Sequence, residues 1–484
     1  MAKLKNIIRQ LAAEDYNNIY QSLMNSNAEK SAYLLKYIYQ EQLSDSKIMR
    51  ELDVNTNAYY TLRSRLNQKI EEYLLQQIES PRTDVLRKVA NINEVIFTKK
   101  RTIAIATLKK LEKELLDYDL SNELMVIYKT LKKLHVNTPE YFEYSQYYNQ
   151  HVAYTLDVDK VEFFMAEYFK KYGIYSFTNE ESEKLELVLL NKEILSICKK
   201  YPSSKRLKVY QSCVNVFHRL FVEAEDENLY DDGIEPIEDI FTSVEETLGF
   251  YQTDSIYFHL GIVFQFLKLE YYSHYKLYRK AEKYFDEVND SIASLMSSYN
   301  THTYAARFLF TKLERYARTG TLQNLHKENQ VVFIDFEPDL QNVPQYVTYI
   351  CYRALGMYYA GKYEEAIRWI NKLLNDISFK RYPYVHLEIK LFLGILYMFV
   401  KDQELLTQLL SSLQRQIRIL SKETCIHGVL IIKLLKLSMQ GNKTDKEERM
   451  KHLTEKIKKT LPQIGFSITK YVKFDEEMIN KISH

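Results

Sequence analysis

Histidine, cysteine and carboxylate side chains carry most of the chemistry that proteins perform, and in this 484-residue chain they are dispersed. His386 and Glu388 stand two residues apart, a spacing that puts them on different faces of a helix and so offers no chelate. His218 precedes Arg219 in an amphipathic stretch, where packing or surface exposure accounts for it. Glu223, Glu225, Asp226, Glu227, Asp231 and Asp232 crowd one acidic segment without the fixed ligand spacing of a calcium loop, and read as solvated. Cys198, Cys213, Cys351 and Cys425 form no CxxC pair and read as small buried apolar residues of a reduced compartment. There is no HExxH, GxSxG, EF-hand or kinase pattern, and no Gly-rich phosphate loop. The expectation is a chain that is not an enzyme, with no catalytic residue, no resident cofactor and no metal site.

Any site must then be a surface, and helices must build it. Only 11 Gly and 8 Pro interrupt long Leu-, Ile-, Lys- and Glu-rich stretches, as extended helices require. Forty-one Tyr and 23 Phe can fill the grooves between such helices, with tyrosine hydroxyls kept wet at the edges. A net charge of +2 provides no strong field for nucleic acid or anionic membrane. The most apolar run, "LFLGILYMFV" at 391–400, has about half the length of a membrane span and is bracketed by Lys390 and Lys401. It reads as a helix buried among helices, so no membrane insertion is expected. The start of the chain has no uninterrupted apolar segment, and the reading is cytoplasmic.

Four regions follow from the patterning. Residues 1–80 form a helical head in which a short helix near Ile48 and Met49, a turn at "DVNTN" and a longer helix follow the order of a helix-turn-helix. Arg63, Arg65 and Lys69 are the candidate DNA-binding residues on that longer helix. Ten basic and ten acidic residues within 1–80 argue instead for a cap or interaction head. Residues 81–139 form a connecting helical region, locally basic. Residues 140–460 read as a succession of helix pairs, including separate helices at 140–156 and 158–171, with "VVFIDF" at 331–336 as an extended segment. Residues 461–484 form a C-terminal cap or strap, docking Tyr471 and Phe474.

One helix pair is distinctive. In "YVTYICYRALGMYYAGKYEEAIRWINKLLND" (346–376), Ala354 and Ala366 permit close backbone approach, Gly361 permits a tight turn, and Tyr363, Ile370 and Leu373 fill the groove. These residues resemble a tetratricopeptide repeat: Gly361 and Tyr363 match its G-x-Y turn, and Ala366 the small residue where its helices meet. The tandem Leu-Gly of the first helix is out of register, at Leu355 and Gly356, and the terminal proline is missing. Residues 257–288 and 386–417 repeat the plan without the turn glycine. The resemblance implies an all-α fold, an irregular right-handed α-α superhelix with the helical head in front. Such arrays are scaffolds or adaptors that hold a peptide or helix of a protein partner. Tyr358, Tyr359, Tyr363 and Arg368 are the candidate protein-binding residues. The alternative is a DNA-binding transcriptional regulator using 43–79, with the array as sensor.

Overall fold

The computed structural model describes residues 8, 11, 13–26, 28–41, 43, 45–77, 81–223, 235–250, 255–297, 301–333, 336–420, 425–440, 446–462 and 465–483. These comprise 23 α-helices and no strand. Contacts divide the chain into two compact units, Met1–Tyr148 and Asn149–His484.

The first unit holds two apolar cores. One is built by α1 (Ala13–Asn25), α2 (Glu29–Tyr39), α3 (Asp45–Glu51) and α4 (Thr56–Gln77), around Ile19, Leu34, Leu35, Ile48, Leu66 and Ile70. Asp53 takes φ +47° between α3 and α4, and Asn55 Oδ1 accepts from the Ala58 N–H at 2.9 Å, capping α4. The other is built by α5 (Pro81–Ala90), α6 (Ile92–Thr98), α7 (Arg101–Asp117) and α8 (Ser121–Leu134), around Leu108, Leu115, Leu124, Ile127 and Leu131.

Helix α9 (Glu140–Thr178) contains the division between the units. It replaces the two helices expected at 140–156 and 158–171. The intervening "DVDK" has neither Gly nor Pro, and Asp157 accepts from the Tyr201 hydroxyl at 3.0 Å rather than capping a new helix.

The second unit continues with α10 (Glu181–Cys198), α11 (Lys205–Phe221), α12 (Ile237–Phe250), α13 (Ser255–His274), α14 (Tyr278–Ser297), α15 (Arg307–Thr319), α16 (Leu325–Val332), α17 (Val343–Tyr359), α18 (Tyr363–Asp376), α19 (Pro383–Val400), α20 (Gln403–Leu420), α21 (Ile426–Ser438), α22 (Lys446–Thr460) and α23 (Glu476–Ser483). The closest packing is between chain neighbours: α13 with α14, α17 with α18, α19 with α20, α21 with α22. Val331 and Val332 end α16, so "VVFIDF" begins in a helix; Ile334 and Asp335 lie outside the described residues. So does most of the acidic segment, Glu225 to Asp232.

The helix pairs share a turn that the residue types conceal. At Gly361 the backbone takes φ +73°, and the next N–H, of Lys362, donates to Met357 O, five residues back. This is the Schellman closure of a helix C-terminus. Lys276 with Leu277 and Lys401 with Asp402 repeat it at φ +58° in each case, and Asp119 with Leu120 at φ +51°. Ala354, Ala366, Ile370 and Leu373 are all fully buried. Helix α19 is apolar enough by composition to cross a membrane, but 67% of it is buried within the protein. Its Gly394 admits α21 closely: a Cβ there would stand 2.9 Å from Leu435 Cδ1.

Candidate functional site

Two arrangements in the second unit bring polar chemistry together, and both involve the segment 465–475, which leads into α23. This strap opens at Gly465, where φ is +78°, makes one 3-10 turn at Thr469–Tyr471 and ends where Asp475 Oδ1 caps α23 through the Met478 N–H. Its side chains Phe466, Ile468, Thr469, Val472 and Phe474 are buried.

The first arrangement is a receptor for the strap. Glu388, on α19, has no exposed surface. Its Oε2 accepts from Ser467 Oγ at 2.8 Å, Thr469 Oγ1 at 2.9 Å and the Thr469 N–H at 3.2 Å. Its Oε1 pairs with Nε2 of buried His427, on α21, at 2.5 Å. Farther along, the Tyr359 hydroxyl donates to the Tyr471 carbonyl, and the Tyr471 ring stacks on Phe310 at 4.8 Å. The helices thus meet both a backbone donor and a backbone acceptor of the strap.

The second arrangement is a cavity of about 330 Å³ with the strap as one wall. Tyr172, Tyr304, Arg307, Phe310, Glu314 and Tyr471 are among its lining residues. Arg307 stacks on Phe221, 3.7 Å from the ring centre, and its Nη1 donates to the Tyr172 hydroxyl at 2.6 Å. Buried Glu270 lies 3.8 Å from Arg307 Nε, and burial raises its pKa against the pull of that guanidinium. Burial, reinforced by Arg307, lowers the pKa of His274 and favours the neutral imidazole. Burial likewise drives the Tyr471 hydroxyl well above its usual range, with the carboxylate of Glu314, which accepts from it at 3.2 Å, adding to the effect.

The residues singled out from the sequence divide between packing and exposure. Tyr358 is buried and meets Phe392 and Phe399; Tyr363 stacks on Phe399 at 4.5 Å; Tyr359 holds the strap. Arg368 is exposed on α18. In the head, Arg63 is half-buried on α4, while Arg65 and Lys69 are exposed and line an open groove of about 650 Å³ together with Lys30. His386 stacks on Phe379 at 5.2 Å, and Glu388 takes His427 as its partner. His218 is buried against the Tyr168 hydroxyl at 2.9 Å. The four cysteines are buried and free, and burial pushes the thiols of Cys198 and Cys425 up to about 11. No cluster of three or more metal-ligating side chains occurs among the described residues.

Sequence reasoning weighed Glu388 only as a partner of His386 and gave it no role, and it did not single out Arg307. A signal existed for the first: Glu388 is the one acid in the apolar stretch 387–400. None existed for the second, because Tyr172, Glu270 and Tyr471 reach Arg307 from far away in the chain. Comparison with family models, curated proteins and solved structures finds no match for this chain.

Proposed function

We propose that the helices of 149–484 form a tetratricopeptide-like scaffold that binds an extended segment of a protein partner and has no catalytic role. The observation that supports this reading is the way the unit treats its own strap. Glu388 and Tyr359 engage the backbone of a segment outside the α-helices, at its 3-10 turn Thr469–Tyr471, while buried rings at Phe466 and Phe474 and the stacked ring of Tyr471 give it register. Backbone bonding combined with side-chain pockets is the general means by which extended peptides are recognised. The repeated turn at Lys276, Gly361 and Lys401 supports a repeat-like array as the frame.

The test is exchange. A protease site placed within 461–464 allows the folded chain to be cut while the strap stays seated. A fluorescent peptide of residues 465–484 is expected to replace the cut strap saturably, and a scrambled peptide of the same composition is not. Glu388→Gln should weaken the exchange by about tenfold or more, the worth of bonds to a buried charge. Failure of the authentic peptide to bind the cut, still helical protein rejects the reading.

A second reading has one observation in its favour: α3, a four-residue turn and α4 follow the order of a helix-turn-helix, with Arg65 and Lys69 exposed on α4. It requires salt-sensitive binding to a diverse DNA pool, lost when Arg63→Glu and Arg65→Glu are combined. No binding at low salt removes it.

A further inference from the structure

The first turn of α2 presents donors that nothing in the head answers. Ala28, which opens the helix, has no side chain able to cap it. The Ser31 and Ala32 N–H groups bond to Ala28 O, whereas those of Glu29 and Lys30 have no acceptor among the described residues. Ser31 adds a side-chain donor. It is 5% exposed and lines the open groove of about 650 Å³, and its hydroxyl has no hydrogen-bond partner among the described residues. Ser26, on the same groove, donates its hydroxyl to Leu23 O at 3.0 Å, the usual resort of a serine near a helix end. Ser31 does not.

Helix α4, which packs on α2, supplies charge to the same groove. Its Leu62, Arg65 and Lys69, spaced three and four residues apart, share one face and line the space. Arg65 and Lys30 are exposed, and neither has a carboxylate within ion-pair reach among the described residues. Glu29 is the one acid among the lining residues, and its exposure leaves it screened by water and salt. Two backbone N–H groups, a hydroxyl, an ammonium and a guanidinium therefore border one space. A carboxylate would bring two oxygens and one charge to them. A phosphate monoester brings three oxygens and two charges, which suits two cations at a helix N-terminus better. Duplex DNA would need a stripe of such positions, but residues 1–80 hold as many acids as bases, ten of each. Leu23, Ala28 and Leu62 add apolar surface for the carbon body of an ester.

We propose that the groove between α2 and α4 binds the dianion of a phosphate monoester, with the Glu29 and Lys30 N–H groups, the Ser31 hydroxyl, Lys30 and Arg65 as its donors. A small organic phosphate and a phosphorylated serine side chain of a protein partner offer this same chemistry. The site lies wholly within the head, so the proposal stands independently of strap exchange.

The full chain is titrated calorimetrically at constant ionic strength and about pH 7.5, where phosphate monoesters are mostly dianions. The probes are phenyl phosphate, the peptide acetyl-Ala-phosphoserine-Ala-amide, dimethyl phosphate and a DNA duplex. At least one monoester is expected to bind saturably, with the singly charged diester weaker by about tenfold or more, and the tighter monoester identifies the source. Arg65→Gln should reduce that affinity by about tenfold, and Ser31→Ala, which removes a neutral donor, several-fold. Glu29→Gln should act in the opposite direction and tighten binding, a gain that damage to the fold would not produce. The proposal is overturned if neither monoester binds at millimolar concentration, if dimethyl phosphate binds as tightly, or if Arg65→Gln and Ser31→Ala both leave the affinity unchanged. Arg65-dependent binding of the duplex without binding of either monoester overturns it in favour of DNA.

Discussion

A carboxylate with no exposed surface must find its hydrogen bonds inside the protein, and Glu388 finds four, three of them from Ser467 and Thr469 of the strap. Replacing it by glutamine keeps the shape but turns one acceptor atom into an NH2 group facing donors. Glu388→Gln is therefore expected to cost about 2–4 kcal/mol in urea unfolding and to expose 465–475 to proteolysis before the helices are cut. Thr469→Val, which removes one donor and leaves the carboxylate, should cost less. An equal cost for both would mean that the site is held by packing alone. The sequence placed His386 beside Glu388, two residues away, but the partner is His427, 39 residues on. Helical spacing excludes the near pair; only the packing of α21 on α19 selects the distant one.

At the scale of elements, the helix pairs turn on one conformation held by different residues. Gly361 adopts φ +73° without a Cβ penalty, while Lys276 and Lys401 adopt φ +58° with one. Lys401→Gly should stabilise the protein by up to about 1 kcal/mol, and Gly361→Ala should destabilise it by about as much. Thermal unfolding of the two variants checks both signs, and a loss in Lys401→Gly would show that the lysine side chain matters more than its backbone. This explains what was legible. Helix periodicity marked most elements of the second unit, and Gly361 marked one turn, because glycine advertises a left-handed backbone. The turns at Lys276 and Lys401 carry the same geometry on residues that advertise nothing, so the repeats looked more eroded than their backbones are. Helix α9 was divided too early for a related reason. Nothing local at 157 announces that Tyr201, 44 residues on, takes the Asp157 carboxylate as its acceptor.

For the whole molecule, the buried apolar residues of the first unit and those of the second form separate clusters, with no residue in common. Calorimetry of the full chain should accordingly resolve more than one transition. Acid distinguishes them. Burial lowers the pKa of His151, His259, His274, His302, His326 and His386, with His302 and His386 brought down to about 4. All six lie in the second unit. Unfolded histidine titrates near 6.5. As pH falls through that value the unfolded state takes up protons that the native state refuses, so stability is lost steadily, and for His302 and His386 the loss runs on until the native groups protonate near pH 4. Glu270, its pKa raised by burial, acts in the opposite sense and offsets part of the loss. Between pH 7 and 5 the transition of the second unit should therefore move to lower temperature while the other holds nearly still. His302→Phe, which removes one refused proton and keeps a ring against Tyr210, should flatten that slope. A single transition, or two that fall together with pH, would mean that the histidines of the second unit do not set its acid sensitivity independently of the first.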